Sequence, residues 1–293
     1  MSYILVTPAR NEENNLPKLI QSVVEQTIKP LVWVIVDDGS TDNSHSIIRN
    51  AQKIHKWIYS IRLKEGPRDL GKHVYHVYNI GFNIAINYCT IHNISFDYIG
   101  NIDADMILET EFFEKLIKEF EKNLRVGIAS GSVYSNISNK LFLEENREDL
   151  PMGSLRLWRK ECFEETGGYL ISYSSDSVSN VLAKLKGWET RSFEGIRAVQ
   201  TRRTSSAEGL WNGYKYHGKS CYFRNYHPLF VLAKGIKLTF EKPNYTGIAY
   251  LYGYLCAAIK RMDKIDDKEV GDYYYHQKYK EVVEYYKNKL RKK

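Results

Sequence analysis

The chain has 293 residues, with 42 Lys+Arg against 35 Asp+Glu, a net charge of +7 and 43% hydrophobic residues. That length admits one large domain or two small ones, and the apolar content with mixed charge excludes a disordered chain, a collagen repeat or a coiled-coil array. The positive balance favours anionic partners, whether nucleotides, phosphates, acidic lipids or nucleic acid, without choosing among them.

Tyr3–Val6 is a short apolar run that stops at Thr7-Pro8 and predicts a strand. The segment up to Glu13 has no basic n-region and meets Arg10 and Glu12 too early for a signal peptide. Leu16, Leu19, Ile20 and Val23 fall at helical spacing. Leu31–Val36 is a β-branched run closed by Asp37-Asp38-Gly39-Ser40, where Ser40 or Asp42 would cap a helix through Ile47 and Ile48. Trp57–Leu63 predicts a third strand, followed by a loop with Gly66, Pro67 and Gly71 and a helix from His73 to Tyr88. Phe96–Ile102 predicts a fourth strand, which ends at Asp103-Ala104-Asp105. Phe112, Phe113, Leu116, Ile117 and Phe120 share one face of a helix over Glu111–Asn123, and Val126–Val133 returns to strand. This alternation predicts an α/β domain with a largely parallel sheet.

Farther on, Val178, Val181, Leu182 and Leu185 predict a helix that opens at Ser174-Ser175-Asp176 and ends at Gly187. From Arg191 to Lys242 there are ten Lys/Arg against three Asp/Glu, with Trp211, Tyr214, Tyr216, Tyr222, Phe223 and Tyr226 interleaved. Helices are expected over Tyr245–Met262 and Tyr273–Lys293. Two stretches lack charged residues: His73–Phe96 carries the polar stripe Asn79, Asn83 and Asn87, and Pro243–Ile259 is shorter than the ~20 apolar residues a span needs, so no transmembrane segment is expected. The four cysteines lie far apart with no Cys-x-x-Cys, which argues against a disulfide framework or a cysteine-held zinc and favours a reducing compartment.

Three apolar runs end in polar residues, at Pro8–Glu13, Asp37–Ser40 and Asp103–Asp105. Open α/β sheets bind ligands beyond the carboxyl ends of their strands. Two carboxylates two residues apart, Asp103 and Asp105, can share a hard cation such as Mg²⁺ or Mn²⁺ that bridges a diphosphate, or can sit in a solvated turn. Asp37 and Asp38 can accept hydrogen bonds from a base N–H or a ribose hydroxyl, or serve an ordinary turn. Gly66–His73 nearly fits a phosphate loop, but His73 stands where a hydroxyl is needed; Lys72 or Arg68 keeps a role as a cation for a diphosphate. His73 and His76 have no third metal ligand nearby in the sequence. Asp176 near a helix start is either a cap or a general base.

Taken together, Val6–Glu13, Val36–Asp42, Gly71-Lys72 with Asn79 and Gly81, Asn101–Asp105, and Gly167-Gly168-Tyr169 with Asp176 resemble, in order and spacing over roughly residues 1–190, the inverting nucleotide-sugar glycosyltransferases of family 2. The resemblance implies the GT-A fold, an α/β mixed sheet flanked by helices, for a domain placed at 1–222; the change in composition and the helical patterns beyond it predict a helical C-terminal extension over 223–293. The resemblance also implies nucleotide contacts from Pro8, Ala9, Arg10, Glu12, Asp37, Asp38, Lys72 and Asp103, a metal (Mg²⁺ or Mn²⁺) at Asp103 and Asp105 with Asp105 the direct ligand, and Asp176 as catalytic base. Ser175 stands where the family usually places an acid, leaving Asp149 and Glu165 as alternative bases. Gln200 and Arg203 keep part of the processive members' Gln-x-x-Arg-Trp without its Trp. The expected activity is therefore non-processive transfer of a sugar from a UDP-sugar or similar donor to a hydroxyl of a glycan or lipid-linked acceptor. The expected location is cytoplasmic, with peripheral membrane contact through the Tyr245–Ile259 helix and Lys260-Arg261, and no nucleic acid is expected as partner. A nucleotidyltransferase is disfavoured because Pro8–Glu13 has no glycine, and a nucleic-acid binder leaves the acidic strand ends unexplained. A homologue that binds the nucleotide sugar without transferring it is the remaining alternative.

Overall fold

The computed structural model describes residues 1–66, 72–137, 140–144, 146–201 and 209–291. Pro67, Arg68 and Gly71 of the expected loop, and Arg203 after Gln200, lie outside the described residues. The chain divides into two compact units, one of 1–171 with 175–203 and one of 172–174 with 204–293.

In the first unit, β1 (Tyr3–Ala9) and β2 (Val32–Asp37) are apolar runs buried on both faces, the pattern that parallel pairing requires. β1 pairs parallel with β2 and with β4 (Tyr98–Ile102), and β2 with β3 (Ile58–Arg62). The crossovers are α1 (Leu16–Val24, with Pro17 in its first turn), α2 (Ser44–Ile54) and α3 (Lys72–Ile91). After β4 the sheet changes direction. β8 (Leu155–Arg159) runs antiparallel to β4 and to β6 (Val126–Ile137); β6 pairs parallel with β9 (Glu189–Gln200), and β5 (Met106–Leu108) closes the order β3-β2-β1-β4-β8-β6-β9-β5. β7 (Lys140–Leu143) pairs with β6. The largely parallel sheet read from alternation thus runs unbroken only from β3 to β4, with β6 and β9 a separate parallel pair. The strands that make the sheet mixed are short or polar on most of one face, so they carry no strong period.

Alternate residues of β1 and β2 face two cores. Tyr3, Leu5, Trp33 and Ile35 pack with α1 and α4 (Phe112–Lys122), while Ile4, Val6, Val34 and Val36 pack against α3 through Val77, Phe82 and Ala85. Each such side chain contributes about 1.5–3 kcal/mol. α5 (Lys160–Thr166) and α6 (Ser175–Leu185) complete this unit. Gly81 sets how closely α3 approaches the sheet, since a Cβ there would lie 2.3 Å from Val6 Cγ1.

The second unit holds α7 (Leu210–Phe223), α8 (Pro228–Thr239), α9 (Tyr245–Ile259), α10 (Lys268–Asp272) and α11 (Lys278–Arg291), with a π-helical turn over Tyr273–Gln277. α7 and α9 touch backbone to backbone: a Cβ on Gly218 would fall 1.9 Å from the Tyr250 carbonyl, and one on Gly253 1.9 Å from that of Lys215. That packing is why α7 goes with the helical unit, whereas the expected 1–222 boundary had assigned it to the sheet domain. Among the described residues no helix is long and apolar enough to cross a membrane.

Gly81→Ala forces α3 off β1 and is expected to lower unfolding stability by about 1–3 kcal/mol in urea titrations; an unchanged midpoint would show that the seam has slack.

Candidate functional site

Because β1, β2 and β4 are parallel neighbours, their carboxyl ends lie along one edge of the sheet and bring together the turns at Pro8–Glu13, Asp37–Ser40 and Asp103–Asp105. The first two turns are tied reciprocally. Asn11 and Glu12 donate backbone N–H groups to Ser40 Oγ (3.0 Å) and Ser44 Oγ (2.7 Å), Glu13 N–H donates to Asp42 Oδ2 (3.1 Å), and Thr41 N–H donates back to Asn11 Oδ1 (2.8 Å). Gly39, at φ +71°, passes so close to the backbone of Glu65 that a Cβ would sit 2.6 Å from its Cα.

Every acid of these turns has a defined partner. Asp37 is buried; it accepts Ser40 N–H (2.9 Å) and pairs with His45 Nδ1 (3.1 Å) and Arg62 Nε (3.4 Å). Asp38 pairs with His73 Nε2 (2.9 Å) and lies 3.6 Å from Arg10 Nη1, while Arg10 Nη2 donates to the Gly66 carbonyl (2.6 Å). Glu12 is buried and accepts from Asn15 Nδ2 (2.7 Å). Lys72 is exposed at the first residue of α3, beside His73. With the guanidinium groups of Arg62 and Arg10 set against Asp37 and Asp38, this edge is less negative than its acids suggest. The His73–Asp38 pair was missed in the sequence because His73 was read as the misfit of a phosphate loop and otherwise as a core or surface histidine, with no signal for a partner 35 residues away.

A buried aromatic and amide network carries the other acids. The Tyr78 hydroxyl donates to Asp103 Oδ1 and accepts from Asn101 Nδ2 (3.2 Å); Asn101 Nδ2 also donates to the Gly153 carbonyl (3.0 Å), and its Oδ1 accepts from Tyr169 (3.2 Å). Burial, and then the charge on Asp103, push the Tyr78 phenol well above its usual range; burial does the same to Tyr169. Tyr75, whose ring lies 5.0 Å from that of Tyr169, donates its hydroxyl to Asp176 Oδ1 (3.1 Å). Asp176 itself is half-buried in the first turn of α6 and lies against Gly153, where a Cβ would come 2.8 Å from its Oδ2. Asp105 is buried and accepts from Gln200 Nε2 of β9 (3.1 Å).

What fixes Asp176 is Arg156, which sits opposite Asn101 across the β4–β8 register. This fully buried guanidinium donates to the carbonyls of Pro151 (3.0 Å), Met152 (3.0 Å) and Asp176 (3.2 Å), and to Ser179 Oγ and Asn180 Oδ1 (both 3.2 Å), and it stacks over Trp158 and Tyr169. A charged residue inside the apolar run Leu155–Trp158 was the available signal. The alternative bases stand elsewhere. Asp149 is paired with Arg147 (2.7 Å) and Lys184 (2.5 Å); burial alone would raise its carboxyl, but these bonds outweigh it and hold it at about 2, which makes it a weak proton acceptor. Glu165 is exposed and accepts from the Trp188 indole (2.8 Å).

Asp103 and Asp105 offer hard oxygen donors that suit Mg²⁺ or Mn²⁺. Among the described residues no cluster of three or more His, Cys, Asp or Glu is gathered for a metal, so a cation here would complete its shell with oxygens of its ligand. Tyr78 donates to the first of these carboxylates and Gln200 to the second.

Residues 4–169 match glycosyl transferase family 2. The chain is 30% identical to the glycosyltransferase GlyA of Streptococcus pneumoniae over 139 residues, which are 47% of this chain and 18% of that protein. It spans less than half the length of such curated relatives. In structure it is similar to S. aureus TarS 1-349 in complex with UDP (TM-score 0.53, 12% identity, 84% of this chain and 74% of that one). It is also similar to the mannosyltransferase PcManGT from Pyrobaculum calidifontis in complex with GDP-Man and Mn²⁺ (TM-score 0.51, 16% identity, 88% and 73%). At these identities the likeness is one of fold: the mixed sheet with flanking helices is the GT-A arrangement.

Arg156→Met strips donors from five acceptors, three of them in buried bonds, and is expected to cost at least ~2 kcal/mol in chemical unfolding. Asp149→Asn is expected to cost about 1 kcal/mol at neutral pH, allowing for solvent screening of a half-exposed pair. Because the folded-state value of about 2 lies below the ordinary 3.8, that stabilisation is complete above 3.8 and lost as the pH falls toward 2. The unfolding curves of wild type and variant should converge in that window.

Proposed function

The chain belongs to glycosyl transferase family 2, and we propose that it transfers a single sugar, with inversion, from a nucleotide-diphosphate sugar to a hydroxyl of a glycan or lipid-linked acceptor. The observation that carries this reading is the shared frame of Tyr78, Asn101, Tyr169 and Gly153, which ties Asp103 at the end of β4 to Asp176 at the start of α6. One carboxylate serves the diphosphate side of a displacement and the other the acceptor side.

In this reaction the acceptor oxygen attacks the anomeric carbon as its bond to the diphosphate oxygen breaks. The hydroxyl proton passes to Asp176, and the electron pair leaves with the nucleoside diphosphate. No protein nucleophile is needed, and a half-buried carboxylate that accepts from Tyr75, on a residue whose backbone carbonyl Arg156 holds, is pre-oriented for the proton. Asp103 and Asp105 would hold Mg²⁺ or Mn²⁺, which when bound neutralises the diphosphate. Arg10 and Lys72 supply positive charge at the ends of β1 and α3, and the turns around Asp37 and Asp38 receive the base and ribose. UDP is the first donor nucleotide to try, and GDP the second. A cytoplasmic location belongs to the same proposal.

Titration calorimetry with UDP, GDP, CDP and dTDP, each with and without Mn²⁺, is expected to single out one nucleotide whose binding depends on metal and is lost in Asp105→Ala. Asp176→Asn should keep that binding while nucleotide release from the donor, with water as acceptor, falls by about 10²–10⁴. Undiminished release would remove Asp176 as the base. Intact binding with no release in the wild type would instead favour a nucleotide-sugar-binding homologue, for which Ser175 in place of the usual acid is the supporting feature.

A further inference from the structure

Helices α8 and α9 form an antiparallel hairpin in near-backbone contact. A Cβ on Gly247 would lie 2.5 Å from Thr239 Cγ2, and one on Gly235 2.4 Å from Leu251 Cγ. α9 turns Ala249, Tyr250, Gly253 and Ala257 inward. The opposite stripe, Tyr245, Ile248, Tyr252, Leu255 and Ile259, is exposed, Ile259 by 80%. α8 repeats the pattern: Val231, Gly235 and Leu238 are buried, while Leu229, Leu232, Ile236 and the following Phe240 are exposed, Phe240 by 83%. At about 100° per residue each stripe lies roughly a quarter turn from the seam, and since the helices run antiparallel both stripes turn to the same side. An apolar plate of this extent marks an interaction surface rather than scattered exposure.

Its margins say what it meets. Lys237 and Lys242 flank Phe240, Lys260 and Arg261 follow Ile259, and Glu241, 3.7 Å from Lys237, is the one acid between Pro228 and Arg261. At one border Trp211 lies 6.3 Å from the rings of both Tyr245 and Tyr252. Amphipathic rings and basic ends around an apolar plate match the boundary between acyl chains and anionic head groups. A second copy applied symmetrically would set like charges against each other.

We propose that the α8–α9 hairpin is a docking face for an anionic lipid bilayer. It lies in the interface plane, with the apolar stripes among the acyl chains and Lys237, Lys242, Lys260 and Arg261 on the head groups. This goes beyond the transfer reaction and does not rest on it, since lipid binding is measured without donor.

The full chain is co-sedimented with vesicles of phosphatidylcholine alone and of phosphatidylcholine with phosphatidylglycerol, at low and high salt. Binding to the anionic vesicles, weakened by salt, is expected, with a loss of about fivefold for each of Lys242→Glu, Lys260→Glu and Arg261→Glu. Ile248→Glu with Leu255→Glu should abolish binding while circular dichroism stays unchanged. If that pair disturbs folding, Phe240→Ser, past the end of α8, gives the same readout with a smaller loss. Equal binding to both vesicle types, indifference to the apolar substitutions, or no binding at all overturns the proposal. So does a dimer in light scattering that Ile248→Glu splits, which assigns the face to a second copy.

Discussion

A guanidinium cannot be taken out of water without a full set of acceptors, and in this chain that requirement is met at Arg156. Its partners come from three places: the turn at Pro151–Met152, the first turns of α6, and the aromatic faces of Trp158 and Tyr169. Satisfying it obliges α6 to begin where Asp176 meets β8, and β8 in turn is paired to the strand that carries Asn101 and leads to Asp103. The two carboxylates of the site are thus held in register by one buried cation that touches neither carboxylate group.

The opposite side of the site is governed by the same economy of charge. Asp37 and Asp38 are both largely removed from solvent, and each is matched by an arginine and a histidine from a different element. Burial of acids so close together is tolerable because Arg62 and Arg10 offset their charge while the imidazoles hydrogen-bond to them. With Ser40, Ser44 and Asn11 stitching the two turns together, the ends of β1 and β2 are tied into one edge.

The parallel half of the sheet was legible in the sequence because buried parallel strands are continuous apolar runs and their crossover helices have clear stripes. The other half was not. β8 is five residues long and interrupted by Arg156, and β9 alternates so poorly that it read as part of a basic segment. The order of the acidic turns, through the family resemblance, announced the GT-A arrangement that periodicity alone could not. Asp103, Asp105 and Asp176 were legible as candidates. Their braces were not, since Arg156 acts largely on carbonyl groups and Tyr75, Tyr78 and Tyr169 meet only in three dimensions. The boundary of the helical unit was placed late because α7 declares its allegiance through Gly218 and Gly253, a contact between residues far apart in the chain.

Burial of the phenols around the site has a consequence for behaviour in base. Tyr78 and Tyr169 resist ionisation in the folded chain, as do Tyr3 and Tyr98 in the sheet's core, because a phenolate has no place in those surroundings. Once unfolded, the same side chains ionise near their ordinary value of 10.0. Alkali therefore draws the chain toward the unfolded state by proton loss, and the rise in tyrosinate absorbance is expected in two waves. The first is expected from surface phenols, the second with collapse of the frame that holds Asp103 and Asp176.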